Sequence, residues 1–151
     1  MRLIKRLHHI LTYGTYADRK EKIRPGEYRV SKTDVGIPAK EITPAVSALI
    51  REYEKGLITL DRILDFHVHF ERIRPFEDYN GRLGRLIILK ECLRHEIDPF
   101  IIDDKHRGRY NKGIKCWSPD KSVLSDVCTK AQDRFRRQIE FQRLLQRTRK
   151  T

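Results

Sequence analysis

The sequence predicts an all-α fold carrying one small β-hairpin, and three observations support that prediction. Apolar residues recur at helical spacing through most of the chain, with Phe66, Phe70 and Ile73 as the clearest run. The 151 residues are 38% hydrophobic and rich in helix-forming types, which suits one compact domain with a real core. Strand-like alternation is confined to one stretch, where Tyr28, Val30 and later Val35 stand among turn residues between Pro25-Gly26 and Gly36.

Taken in order, Leu3, Leu7, Ile10 and Leu11 give an amphipathic first helix. Lys5, Arg6, His8 and His9 interrupt the apolar run that a secretion signal would need. Residues 13–23 are polar and read as a loop, and residues 25–36 as the hairpin. Helices then follow at about 44–54, 59–73, 82–95, 104–116 and 121–147. Pro75 ends the second of these, and the stripe Leu83, Leu86, Ile87 and Leu93 opens the next just after Gly81. With no repeats or low-complexity linkers, residues 1–151 read as a single domain, with a core over about 1–133 and a basic last helix.

Residues 67–85 hold the most informative pattern: helix, tight polar loop, helix. A helix N-terminus exposes unpaired N–H groups and a partial positive charge, so Arg82 and Arg85 are each disfavoured there by roughly 0.3–1 kcal/mol. An anion bound between them would remove the conflict. Phosphate suits backbone N–H groups and guanidinium forks best. The plainer alternatives are a helix cap by Asp78 or Asn80 and ordinary surface arginines.

The stretch resembles the signature of the Fic family (Fic/Doc-type protein AMP-transferases), HxxFExIHPFx(D/E)GNGRxxR. His67, Phe70, Glu71, Ile73, Pro75, Phe76, Asp78, Asn80, Gly81, Arg82 and Arg85 match it. The likeness continues through Pro25–Arg29, Thr43–Val46, Asp98–Asp103 and the segment from Leu124 to Ala131-Gln132-Asp133. What the resemblance implies is a Fic-fold helical bundle in which the hairpin is a flap, with Tyr28, Arg29 and Val30 holding a target protein segment by strand addition. It also implies transfer of AMP from ATP to a protein hydroxyl. Asp78 would hold Mg²⁺, while Asn80, Gly81, Arg82 and Arg85 would cradle the phosphates, Arg85 serving the terminal one.

Two positions depart from the signature. Arg74 stands where the family has its catalytic histidine, and Tyr79 where it has the first loop glycine. A guanidinium offers no lone pair and stays protonated near neutral pH, so Arg74 cannot act as general base. The expected result is a protein that retains phosphate or nucleotide binding while AMP transfer is weak or absent. The alternatives are a working transferase using Glu77, His69 or a metal-bound water as base, and a noncatalytic module acting through its flap or basic surface. Tyr79 faces the strain of positive φ, and its ring could stack on an adenine or block the pocket.

Many Fic proteins also carry an inhibitory (S/T)xxxE(G/N) helix, and no Glu here is followed by Gly or Asn. A separate antitoxin-like partner supplying inhibition, or a damaged loop that needs none, is the corresponding expectation. The net charge of +12 is concentrated late, where Arg134, Arg136, Arg137, Arg143, Arg147, Arg149 and Lys150 face only Glu140. Phe135, Ile139 and Leu145 predict a packed helix with a solvated basic face; an acidic protein, then nucleic acid, are the alternative partners. Cys92, Cys116 and Cys128 form no CxxC, and the pairs His8-His9 and His67/His69 lack a third metal ligand. The thiols fit a reduced, cytoplasmic protein. No apolar stretch approaches the roughly 20 residues of a membrane span.

Overall fold

A computed structural model of the chain describes residues 1–31 and 34–148. Two compact units are present, Met1–Ile88 and Leu89–Thr151. The described residues form seven α-helices and no strand: α1 (Arg2–Thr12), α2 (Tyr16–Arg19), α3 (Ile42–Tyr53), α4 (Leu60–Ile73), α5 (Asn80–Arg94), α6 (Asp104–Cys116) and α7 (Ser122–Thr148), with a 3-10 turn at Ala39–Glu41. No helix among them is long and apolar enough to cross a membrane.

In the first unit α4 is the central element. Ile63, Leu64, Phe66, Val68, Phe70 and Ile73 are all buried, so the helix is apolar around most of its circumference, as a core helix must be. It starts where Thr59 Oγ1 accepts the Arg62 N–H at 3.3 Å, satisfying one of the first-turn donors. Phe70 stacks on Phe66, which meets Tyr53 of α3 edge-on at 5.1 Å. Ile42, Val46, Phe76, Leu83 and Ile87 complete this core.

Three expectations need correcting here. The face that α1 buries is Ile4, His8 and Thr12, flanked by Leu7 and Leu11, while Leu3 and Ile10 are exposed. A buried histidine displaces the expected stripe because both its ring nitrogens find partners, as described below. The loop at 13–23 contains a short helix, α2, capped by Thr15 Oγ1 accepting the Asp18 N–H while Asp18 Oδ2 accepts the Gly14 N–H at 2.7 Å.

The hairpin is the third correction: residues 25–31 and 34–36 form no strand, and the remainder of that expectation, 32–33, lies outside the described residues. Arg29 explains it. Its side chain is buried, and its guanidinium donates to the carbonyls of Ser31 and Ile37, groups that cross-strand pairing would have used. Arg29 Nε donates to the Arg74 carbonyl at 2.7 Å, and the Arg29 N–H to the Pro75 carbonyl at 2.9 Å. A cation meeting the open carbonyls of a helix C-terminus is favourable by charge and by hydrogen bonding, so the segment wraps onto the end of α4.

In the second unit α6 packs against α7. Asp103 Oδ1 accepts the His106 N–H at 3.0 Å to start α6, and Tyr110, Trp117, Leu124, Val127, Cys128 and Ala131 are buried. Burial pushes the Cys92 and Cys128 thiols up to about 11 and about 12, which leaves them unreactive near neutral pH. Beyond Phe135, residues 136–147 are all exposed, Ile139 and Leu145 included, so the expected packing of this stretch of α7 is not found. Arg136 pairs with Asp98 at 2.7 Å and Asp133 at 3.2 Å; Arg149 and Lys150 lie outside the described residues.

The close approach of α6 to α7 needs a glycine. A Cβ at Gly113 would sit 2.8 Å from the Leu124 Cα, a backbone atom that cannot swing away. At Gly108, on the same helix, a Cβ would meet nothing within 4 Å. Gly113→Ala should therefore lower stability by about 1–3 kcal/mol through overpacking, and Gly108→Ala raise it by up to about 1 kcal/mol through helix propensity. Urea midpoints of the two variants check this pair of opposite signs.

Candidate anion site between α4 and α5

Two residues in left-handed backbone conformation bracket the loop. Arg74 closes α4, its N–H donating to the Phe70 carbonyl at 3.1 Å, and turns the chain with φ 48°. Tyr79 has φ 65°, and its carbonyl accepts the Leu83 N–H to begin α5. For non-glycine residues each such turn costs roughly 1–2 kcal/mol, which the surrounding contacts must offset.

Asn80 supplies part of the offset from beneath. It is buried, with Oδ1 accepting the Phe76 N–H at 3.0 Å and Nδ2 donating to the Phe76 carbonyl at 2.8 Å. His8 of α1 supplies another part: its ring lies 3.8 Å from that of Phe76 at 6°, and Nε2 donates to the Asp78 carbonyl at 3.3 Å. Burial is the main cause that lowers the His8 pKa from its ordinary value, so the ring is neutral at neutral pH. Asp78 is exposed at the loop crest, and its Oδ1 accepts the Tyr79 N–H at 2.6 Å.

Above the loop the charged groups converge on the first turn of α5. A Cβ at Gly81 would lie 3.1 Å from Glu71 Oε1 and 3.4 Å from Arg85 Nη1, so both side chains lean over that bare backbone. Burial raises the Glu71 pKa, while the charges of Arg85 and Arg74 oppose the rise. Glu71 Oε1 is 4.0 Å from His67 Nε2, on a ring that is fully buried and pushed down to about 3 by desolvation, with Arg85 adding to the effect. Gly84 makes room for that ring; a Cβ there would be 2.6 Å from His67 Nδ1. Arg82 lies over the Tyr79 ring at 4.7 Å, a cation–π contact.

The loop thus brings together Arg74, Asp78, Tyr79, Asn80, Gly81, Arg82 and Arg85. Asn80 faces the loop backbone, and Tyr79 holds Arg82. Of the segment named as target-binding, Arg29 is buried beneath the Arg74 turn, Tyr28 meets Phe76 edge-on at 5.2 Å under Lys5, and Val30 is 70% exposed. Of the side chains considered as substitute bases, Glu77 accepts the Ser31 hydroxyl at 2.7 Å. His69 lines a separate groove with Ala45, Leu49 and Glu52, and its Nδ1 is 2.8 Å from the Asp65 carbonyl. His8 and Gly84 are supporting residues to which the sequence reading gave no role at the site, while it placed Arg29 in the flap and Glu71 among the matched motif positions without a role. Of the first two, only Gly84 left a signal, since a glycine inside a helix costs about 1 kcal/mol and needs a reason.

Among the described residues no group of three or more His, Cys, Asp or Glu side chains could hold a metal by itself. Mg²⁺ bound mainly through phosphate oxygens and water needs only one or two carboxylates, so Asp78 fits that mode and no other. The first-turn N–H groups at Asn80, Gly81 and Arg82, a glycine face free of Cβ, and Arg85 fit a phosphate chain.

The model of the Fic/DOC family matches residues 1–92, which include the whole loop. Over 99 residues the chain is 31% identical to the protein adenylyltransferase Fic of Aedes aegypti, covering 60% of this chain and 20% of that protein. The fold matches a Fic domain containing signaling protein from Bacteroides thetaiotaomicron VPI-5482 with a TM-score of 0.66 at 20% identity, over 89% of this chain and 55% of that one. The chain therefore spans about a fifth of the first relative and just over half of the second.

Proposed function

The chain belongs to the Fic/DOC family, and from that premise we propose that the α4–α5 loop binds the phosphates of a nucleotide, ATP foremost, while transfer of AMP to a protein hydroxyl is weak or absent. The observation that carries this reading is Arg74. It stands at the left-handed turn closing α4, and its charge acts on Glu71 from beside the Arg85 cradle. A third guanidinium here strengthens ground-state attraction for phosphate and offers nothing to take the proton of an incoming hydroxyl.

Each remaining group has a part. First-turn N–H groups and Arg85 hold phosphate oxygens, Asn80 and His8 keep the loop backbone in place, and Arg82 can leave the Tyr79 ring at the expense of about 0.5–1 kcal/mol of cation–π attraction. Mg²⁺, bound through Asp78 and the phosphates, would supply charge neutralisation. A protein target approaching along Tyr28–Val30 meets Val30, the exposed residue of that segment. Glu77 could serve as a replacement base only by giving up the Ser31 hydroxyl.

Titration calorimetry with ATP and Mg²⁺ tests the binding half. Saturating nucleotide should raise the melting temperature by mass action, and Arg85→Ala should weaken affinity on the order of tenfold or more, the worth of one charge-assisted hydrogen bond. Absence of heat and of thermal shift at millimolar ATP overturns the reading.

A further inference from the structure

His8 contacts the candidate site from below, and its two ring nitrogens reach two different parts of the chain. Nδ1 accepts the Gly26 N–H at 2.9 Å and Nε2 donates to the Asp78 carbonyl at 3.3 Å, while the ring face covers Phe76. An N–H can only donate and a carbonyl only accept, so these partners fix the neutral tautomer protonated at Nε2. The approach of residue 26 is itself demanding: Gly26 has φ 78°, and a Cβ there would lie 3.0 Å from the Lys5 carbonyl and 3.1 Å from the His9 Cβ. Two further bonds run in parallel, His9 Nδ1 to the Pro25 carbonyl at 3.3 Å and the Arg29 N–H to the Pro75 carbonyl at 2.9 Å.

We propose that His8 is a positioning residue that locks the phosphate loop, at Phe76–Asp78, and the segment beginning at Gly26 into one register against α1. The loop needs such a lock because Arg74 and Tyr79 hold unfavourable backbone angles at its two ends. Asn80 fixes the Phe76 peptide groups, and His8 fixes the carbonyl two residues on, so the crest that carries Asp78 is held at consecutive points. Through Gly26 the same ring sets where Tyr28–Val30 lies beside the loop. Its functional consequence rests on the phosphate-binding reading above; the lock itself does not.

Hydrogen exchange on the full chain at neutral pH, with ATP·Mg²⁺ titration alongside, tests the lock. His8→Phe keeps burial and a ring on Phe76 but removes both hydrogen bonds. The amides of Gly26 and of Tyr79–Leu83 should then exchange on the order of tenfold faster, with α3 and the middle of α4 unchanged, and ATP affinity should fall by a similar factor. His8→Asn, whose Oδ1 stands where Nδ1 stood, should restore protection of Gly26 alone, an effect that a merely space-filling role would not produce. In the unaltered protein, nitrogen NMR should report His8 protonated at Nε2 only. Unchanged exchange in folded His8→Phe, uniform acceleration across all helices, or an Nδ1-protonated ring overturns the proposal. If neither protein binds ATP while the two local segments still loosen together, the lock stands and the nucleotide reading falls.

Discussion

Arg74→His should raise AMP transfer from ATP to protein by about 10²–10⁴-fold over the unaltered chain, the usual worth of a positioned general base. The backbone favours the change. Residue 74 sits at φ 48°, a region in which histidine is several-fold enriched over most non-glycine residues, so the substitution relieves local strain. Adding Tyr79→Gly removes a second left-handed side chain at φ 65° and releases Arg82 from its ring. The double variant should exceed the single one, read as label from α-labelled ATP retained on protein after denaturation. A folded double variant with no gain would place the defect outside these two positions.

Acid should destabilise the first unit through His67. Its ordinary pKa of 6.5 is pushed down to about 3 in the folded chain, so between those values the unfolded chain binds more protons and stability falls as pH falls. Above 6.5 both states are neutral at this ring and its contribution is fully present. At ~1.36 kcal/mol per unit the loss is on the order of 4 kcal/mol by the bottom of the window. Glu71, raised by burial, titrates with the opposite sign and offsets part of it. Urea unfolding of the native chain and of His67→Gln between pH 7 and about 3.5 separates the terms. The variant should show a visibly shallower acid slope, and parallel profiles would contradict the assignment.

Helix positions were legible because their apolar spacing is strong. The expected helices at about 59–73 and 104–116 agree with α4 and α6 to within a residue, and those at about 44–54 and 82–95 with α3 and α5 to within two. The family was legible for a different reason: eleven motif positions in one register leave little room for chance. What escaped were polar residues whose burial depends on distant backbone. Arg29 between Tyr28 and Val30 reads as the solvent-facing member of a strand, yet carbonyls of Ser31, Ile37 and Arg74 gather around it. His8 reads as an interruption of an apolar face, and is buried because Gly26 and Asp78 meet both of its nitrogens. Local pattern carries no information about carbonyls that arrive from 45 or 70 residues away.

On the proposed reading, this loop holds a nucleotide and transfers its AMP weakly or not at all. The most direct measurement incubates the unaltered protein with α-labelled ATP and Mg²⁺, together with lysate proteins as acceptors, and counts label on protein before and after denaturation. Label retained natively and lost on denaturation is the predicted result. Label that survives denaturation at a level matching Arg74→His, or no native retention at all, would contradict it.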